Sequence, residues 1–310
     1  MIKISKSTDA GFISIDDIEK DCWINVSAPS PDELMKLSKN LTIPLDFLTD
    51  SLDVDERSRI ETEDNTTLIV LRVPKFDKDN LGVPFTTLPL GIVFTKDIII
   101  TVCLWDINEV LDLFKGKTKN LPTENKRRFI LHLFHRTAFF YLKYLKEINK
   151  KSNEVETELH RSMKNEELIK LLDIEKSLVF FTTSLRSNEL MMERLSKIRT
   201  LELNEDDKDL LEDIIVDNKQ AIEMANIYSN ILSGMMDAFA SVISNNLTIV
   251  MKFLTSVTII LMLPTLVASI YGMNVELPFQ HSPHAFFITI GLSFCLSSVG
   301  VLIFLKNKWF

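Results

Sequence analysis

The sequence predicts an α+β chain in three parts: an N-terminal α/β domain, a long helical stalk and two C-terminal transmembrane helices. Three observations carry the prediction. Short β-branched runs separated by turns fill the first part. After Pro122 there is no further proline until Pro264, and Gly234 is the only glycine before the first apolar run. Two charge-free apolar runs then close the chain. The parts span residues 1–121, 122–246 and 247–310. The last divides into a first span at about 250–271, a loop at 272–284, a second span at 285–305 and a tail at 306–310.

In the first part, FISI (Phe12–Ile15), CWINVS (Cys22–Ser27), TTLIVLRV (Thr66–Val73), LPLGIVF (Leu88–Phe94) and DIIITVCL (Asp97–Leu104) read as strands. SPDELMKLSK reads as a helix with Ser30 as its cap and Pro31 at its first position, where a missing N–H costs nothing. The stalk alternates charged and apolar residues at helical spacing and predicts two or three long helices, with breaks near Arg161–Lys164 and Leu201–Asn204. Asn204 is placed to cap the last of them, and the acids that follow suit the positive end of the helix dipole. With no break before Pro264, that helix would run from Glu205 to Tyr271, roughly 100 Å at 1.5 Å per residue.

Phe253–Tyr271 and Ala285–Leu305 are free of charge, and each has about the 20 residues needed to cross a bilayer. Lys252 precedes the first; Lys306 and Lys308 follow the second, and the intervening loop has no Lys or Arg. The positive-inside rule therefore predicts both termini in the cytosol and the loop outside, with Trp309 and Phe310 near the interface.

Composition narrows the function. The 310 residues carry a net charge of −8 with no basic stripe, which argues against nucleic acid as a partner. Cys22, Cys103 and Cys295 are odd in number, far apart and in no metal-ligand spacing, as expected in a reducing compartment. The N-terminus lacks the apolar core of a signal peptide. His132 and His135 form a helical pair that reads as core or surface. His281 and His284, in the outer loop, read as loop polarity, with contact to a metal such as Zn²⁺ as the alternative. No nucleotide-binding motif is present, so neither ATP-driven pumping nor an organic cofactor is expected, and the chain reads as a channel rather than an enzyme.

The first span has internal order. Stepping back from Ser269 by alternating fours and threes meets Thr265, Met262, Thr258, Thr255, Met251, Thr248, Ser244, Ser241 and Asp237. A mean step of 3.5 residues keeps one seam on a supercoiled helix. Small residues also serve close packing of membrane helices, but this seam runs on past the membrane boundary and ends on an acid. Two spans cannot enclose a pore, so a polar seam becomes a conduit only when several copies surround an axis. The seam thus predicts a closed symmetric homo-oligomer with Met251 and Met262 as apolar constrictions between hydroxyl rings.

Tyr271–Asn274, YGMN, ends the first span and is approached by MLPTLVASIYGMN. This resembles the signature of the CorA family of magnesium transport proteins. WINVSAPSPDEL and DVDERSRIETED resemble two further family segments, the latter with Ser58 where proline is common, so the resemblance covers nearly the whole chain. It implies a homopentamer in the plasma membrane, with the first span lining the pore and a funnel of long helices in the cytosol. Gly272, Met273 and Asn274 then form the selectivity motif: Gly272 lets the chain turn, Met273 packs the loop, and Asn274 contributes a ring of carboxamides that accept hydrogen bonds from hydrated Mg²⁺. Glu276 would raise the local cation concentration at the outer mouth, and Asp237 would attract cations at the inner one. The resemblance also implies regulation by intracellular Mg²⁺ bound between acids of neighbouring subunits, for which Asp55, Glu56, Asp206, Asp209, Asp213 and Asp217 are the candidates. Two alternatives stand beside Mg²⁺ transport: carriage of Zn²⁺, Co²⁺ or Ni²⁺, and a membrane-anchored signalling scaffold, which would need no polar seam.

Overall fold

The computed structural model describes residues 1–8, 11–77, 82–111, 123–162, 165–197, 201, 203–279, 282–307 and 309. Its chain divides into two units, Met1–Gly234 and Met235–Phe310.

The first unit is built on a seven-stranded sheet with strands in the order β2-β1-β3-β7-β6-β5-β4. The strands are β1 (Ile2–Thr8), β2 (Gly11–Ile15), β3 (Trp23–Ser27), β4 (Arg59–Glu63), β5 (Thr66–Phe76), β6 (Phe85–Phe94) and β7 (Ile99–Cys103). Only β3 and β7 pair in parallel; the remaining pairs are antiparallel. Alternation along each strand assigns the two faces. Ile24 and Val26 of β3, Leu68 and Val70 of β5, and Ile100 and Val102 of β7 form one core with Leu34, Leu37, Phe47 and Leu48 of two short helices, α1 (Pro31–Leu41) and α2 (Leu45–Thr49). Trp23, Asn25 and Thr101 point to the other face. There the Trp23 indole donates to Thr101 Oγ1 at 2.9 Å, Thr101 donates to Asn25 at 3.0 Å, and the indole lies 5.3 Å from the Phe129 ring. Both faces of the central strands are covered, which is why LIVLRV shows an apolar run rather than strict alternation.

The expected cap of α1 is present as a full capping box: the Glu33 N–H donates to Ser30 Oγ at 3.3 Å and the Ser30 N–H to the Glu33 carboxylate at 2.8 Å. After the short α3 (Asn108–Leu111) come α4 (Lys126–Ser162), α5 (Asn165–Leu195), α6 (Glu205–Tyr271) and α7 (Ala285–Lys306). The sequence breaks are thus found, although α5 ends at Leu195, earlier than expected; residues 163–164 lie outside the described set. Helices α4 and α5 lie on the second sheet face, where Phe129, Phe134, Tyr141, Phe181 and Leu185 are buried. Asn204 caps α6 as expected, accepting from the Asp207 N–H at 2.8 Å. All three cysteines are free thiols; burial holds the thiols of Cys22 and Cys103 above the usual range, that of Cys103 at about 11.

The second unit comprises the C-terminal part of α6, the loop and α7. Both helices are long and apolar enough to cross a membrane. Helix α7 meets α6 closely at Gly300, where an added Cβ would lie 3.3 Å from Leu263 Cδ1, the close approach that small residues allow between membrane helices.

Candidate functional site

Every seam position from Asp237 to Ser269 is exposed in the single chain. The face of α6 that meets α7 is different: Ile260, Leu261, Pro264 and Ala268 line a groove of about 840 Å³ together with Thr289, Ser293 and other residues of α7, and Val267 is buried. No seam residue lines that groove. Pro264 stays within the helix and has no N–H to offer the Ile260 carbonyl.

Four of the seven seam hydroxyls share one arrangement. Ser241 donates to Asp237 O at 3.0 Å, Thr248 to Ser244 O at 3.0 Å, Thr258 to Leu254 O at 2.8 Å and Thr265 to Leu261 O at 3.3 Å. Each spends its proton on the carbonyl one turn back, so its outward-facing part is oxygen lone pairs. Met251 and Met262 are exposed between these levels. Ser269 and Thr255 also face outward.

The end of α6 differs in detail from expectation. Gly272 keeps a helical bond to Ala268 O at 2.9 Å, and its φ is not in the left-handed region. The chain leaves the helix by tightening, through Met273 N–H to Ile270 O at 3.1 Å. A Cβ on Gly272 would lie 3.2 Å from the Ala268 carbonyl, so close approach rather than an unusual φ is what the position asks of glycine. Met273 is exposed. Asn274 does not adopt the left-handed conformation of a helix cap. Its carboxamide is exposed and makes no hydrogen bond with any of the described residues. Glu276 is likewise exposed, and Tyr271 Oη closes the loop by donating to Pro278 O at 3.4 Å. His284 is exposed at the start of α7; His281 lies outside the described residues.

The candidate regulatory acids fall into two groups. Asp206, Asp209 and Asp213 are exposed on α6 and Asp217 is half-buried; none has an ion pair among the described residues. Asp55 and Glu56 sit in the turn before β4, where Glu56 is paired with Arg59. Arg59 also reaches Asp50 and Glu61. Among the described residues no three His, Cys, Asp or Glu side chains of one chain converge on a possible ion position. Asp207, between two of these acids in sequence, is different: it is buried and bonded to Arg128 at 3.0 Å.

One regularity went unread in the sequence. Continuing the four-three alternation from Asp237 toward the N-terminus passes Gly234, Asn230, Ile227, Glu223, Gln220 and Val216 and reaches Asp213, Asp209 and Asp206, all exposed. The heptad register of the polar seam therefore includes three of the acids. Extending the count would have found them; the apolar Val216 and Ile227 hide the pattern.

A sheet domain followed by long helices and two C-terminal apolar spans, the first bearing a polar seam that ends in a free carboxamide, defines a membrane protein with the architecture of a two-span ion-transport protein. Residues 19–307 match the family described as CorA-like Mg²⁺ transporter protein, and the chain belongs to that family. It is 29% identical over 93% of its length to the cobalt/magnesium transport protein CorA of Methanocaldococcus jannaschii, covering 90% of that protein. It is 23% identical over 98% of its length to the CorA of Thermotoga maritima, covering 88% of it. The complete structure of the M. jannaschii CorA magnesium transporter superposes with a TM-score of 0.87 at 27% identity, covering 100% of this chain and 99% of that one.

Proposed function

We propose that the chain is the subunit of a homopentameric Mg²⁺ channel in the plasma membrane, with α6 lining the pore, α7 packed outside it and both termini in the cytosol. Co²⁺ is accepted as a second ion, in keeping with the name of the M. jannaschii relative, a cobalt/magnesium transport protein. The observation that carries the reading is the exposed, uncommitted carboxamide of Asn274 at the end of a seam in which Ser241, Thr248, Thr258 and Thr265 give their protons to the helix and face outward as acceptors.

The chemistry suits an ion that sheds water reluctantly. Hydrated Mg²⁺ presents O–H donors on all sides. A ring of amide oxygens accepts from that shell without competing for the bare ion, whereas a carboxylate ring would hold the cation too tightly to release it. Below the ring, hydroxyl oxygens continue the same acceptor surface, and Met251 and Met262 narrow it with apolar collars suited to gating by dewetting. Glu276 and Asp237 concentrate cations at the two mouths. The driving force is the membrane potential, about 2.3 kcal/mol per elementary charge per 100 mV. Asp55, Glu56, Asp206, Asp209, Asp213 and Asp217 serve regulation: intracellular Mg²⁺ offsets repulsion between acids of adjacent subunits and holds the pore shut. In this reading a neighbouring subunit completes the cation sites, since the described residues of one chain hold no converged set.

The test is ion uptake into proteoliposomes with an imposed inside-negative potential, comparing Mg²⁺, Co²⁺ and Zn²⁺. Mg²⁺ uptake is expected to rise with the potential and to be indifferent to a pH gradient. Uptake of Zn²⁺ alone, dependent on a pH gradient, would overturn the assignment.

A further inference from the structure

A second polar system, in the Met1–Gly234 unit, centres on Arg72 of β5. A guanidinium has five N–H groups, and all of them are placed. Nε donates to Ser184 Oγ at 3.0 Å. One terminal nitrogen donates to the carbonyls of Val54 and Glu56 at 2.8 and 2.7 Å. The other donates to Thr87 O and Oγ1 at 3.2 and 2.9 Å. None of these acceptors is a carboxylate. The cation holds the main chain of the turn that carries Asp53, Asp55 and Glu56, and leaves Asp53 and Asp55 free of ion pairs among the described residues.

The backbone of Arg72 is held as firmly. The register of β4 against β5 stops at Arg59 opposite Val70, so the ladder on that side ends before Arg72. Asn188 of α5 takes over: it accepts from the Arg72 N–H at 2.9 Å and donates to the Arg72 carbonyl at 2.8 Å. Tyr141 of α4 donates to the same carbonyl at 3.1 Å, and Ser58, just past the acidic turn, donates to Asn188 Oδ1 at 2.7 Å. From this part of α5 one buried bond leads on to α6: Asn218 Nδ2 donates to Leu185 O at 2.9 Å. Asn218 follows Asp217 in sequence, and α6 continues unbroken to Tyr271.

We propose that Arg72 is a positioning residue that couples the acidic turn at Asp53–Glu56 to α6, acting through Ser184 and Asn188 of α5 and the Asn218–Leu185 bond. Arg72 is half-buried and its partners Thr87, Tyr141, Ser184 and Asn188 are buried; the network is stiff because a bond broken on that side strands a desolvated group. A cation that shifts the turn therefore shifts α5 and α6 with it, without any contact between Arg72 and the ion. The inference rests on the reading of the acids as cation sensors.

Hydrogen exchange of the full-length protein across a Mg²⁺ titration tests it, with protection followed separately in the turn (residues 53–58) and in α6 (residues 205–234). In the wild type both segments are expected to gain protection with one midpoint. Arg72→Lys keeps the charge but cannot span the turn carbonyls and Ser184 together; its α6 midpoint should rise by about tenfold, within the usual range of coupling between sites. Asn218→Leu cuts only the last link, so the turn should keep its Mg²⁺ response while α6 loses it; Asn218→Gln serves if the leucine variant does not fold. Variants that melt at lower temperature but keep the wild-type α6 midpoint would show Arg72 to be structural only and overturn the coupling. A wild type with no Mg²⁺ response in either segment would overturn the sensing reading and the coupling together.

Discussion

In the Met1–Gly234 unit the large apolar side chains of the sheet are enclosed by α1 and α2 on one face and by α4 and α5 on the other, and Arg72 has a partner for every N–H. In the Met235–Phe310 unit α7 buries none of its residues, and Phe239 and Val267 are the only buried apolar side chains among the described ones. The sheet core of the first unit is completed within one chain. The second presents apolar faces for lipid and a polar seam with nothing opposite it, and under the proposed function further copies of the chain complete it. Substitutions in the core of the first unit should accordingly act on stability, and substitutions along the seam of the second on transport.

The largest effect on stability is expected in the enclosed core. Phe181 is fully buried and packs edge-on against Tyr141 at 5.0 Å, so Phe181→Ala should cost roughly 3–5 kcal/mol in denaturant unfolding. Ser30→Ala, which removes one half of the capping box, should cost about 1 kcal/mol. At the other extreme, Thr258→Val in the seam should change unfolding by less than about 0.5 kcal/mol while lowering Mg²⁺ flux several-fold. A seam substitution that destabilised the protein as much as Phe181→Ala, with transport intact, would break the contrast. Chemical reactivity draws the same line on a smaller scale: at pH 8 the native Cys103 thiol, held at about 11 by burial, should resist alkylation and should react only on unfolding.

Much of this was legible in the sequence, for physical reasons that also explain what was missed. Strands β3, β5, β6 and β7 are buried, and their β-branched runs announce them. β1, IKISKST, is an inner strand but only partly buried, and β4, RIETE, is a charged edge strand; both interleave polar with apolar residues, β4 as an edge requires, and so lack the apolar signal. The seam could be read because a 3.5-residue repeat is local and survives without tertiary information. The Arg72 network could not. Its partners lie 15–18 residues away at Val54, Glu56 and Thr87 and 112–116 away at Ser184 and Asn188, and its only local trace is a single cation inside LIVLRV. At Gly272 the sequence announces the turn but not its geometry: the glycine answers to the nearness of the Ala268 carbonyl, which no local pattern displays.

Under the proposed function, ion recognition depends on Asn274. The most direct test is potential-driven Mg²⁺ uptake into proteoliposomes by the wild type and by Asn274→Ala, reconstituted at equal density. The exposed side chain has no structural partner among the described residues, so the variant should fold and assemble normally while uptake falls at least tenfold, the equivalent of about 1.4 kcal/mol of lost stabilisation. Uptake by Asn274→Ala equal to that of the wild type would contradict the account.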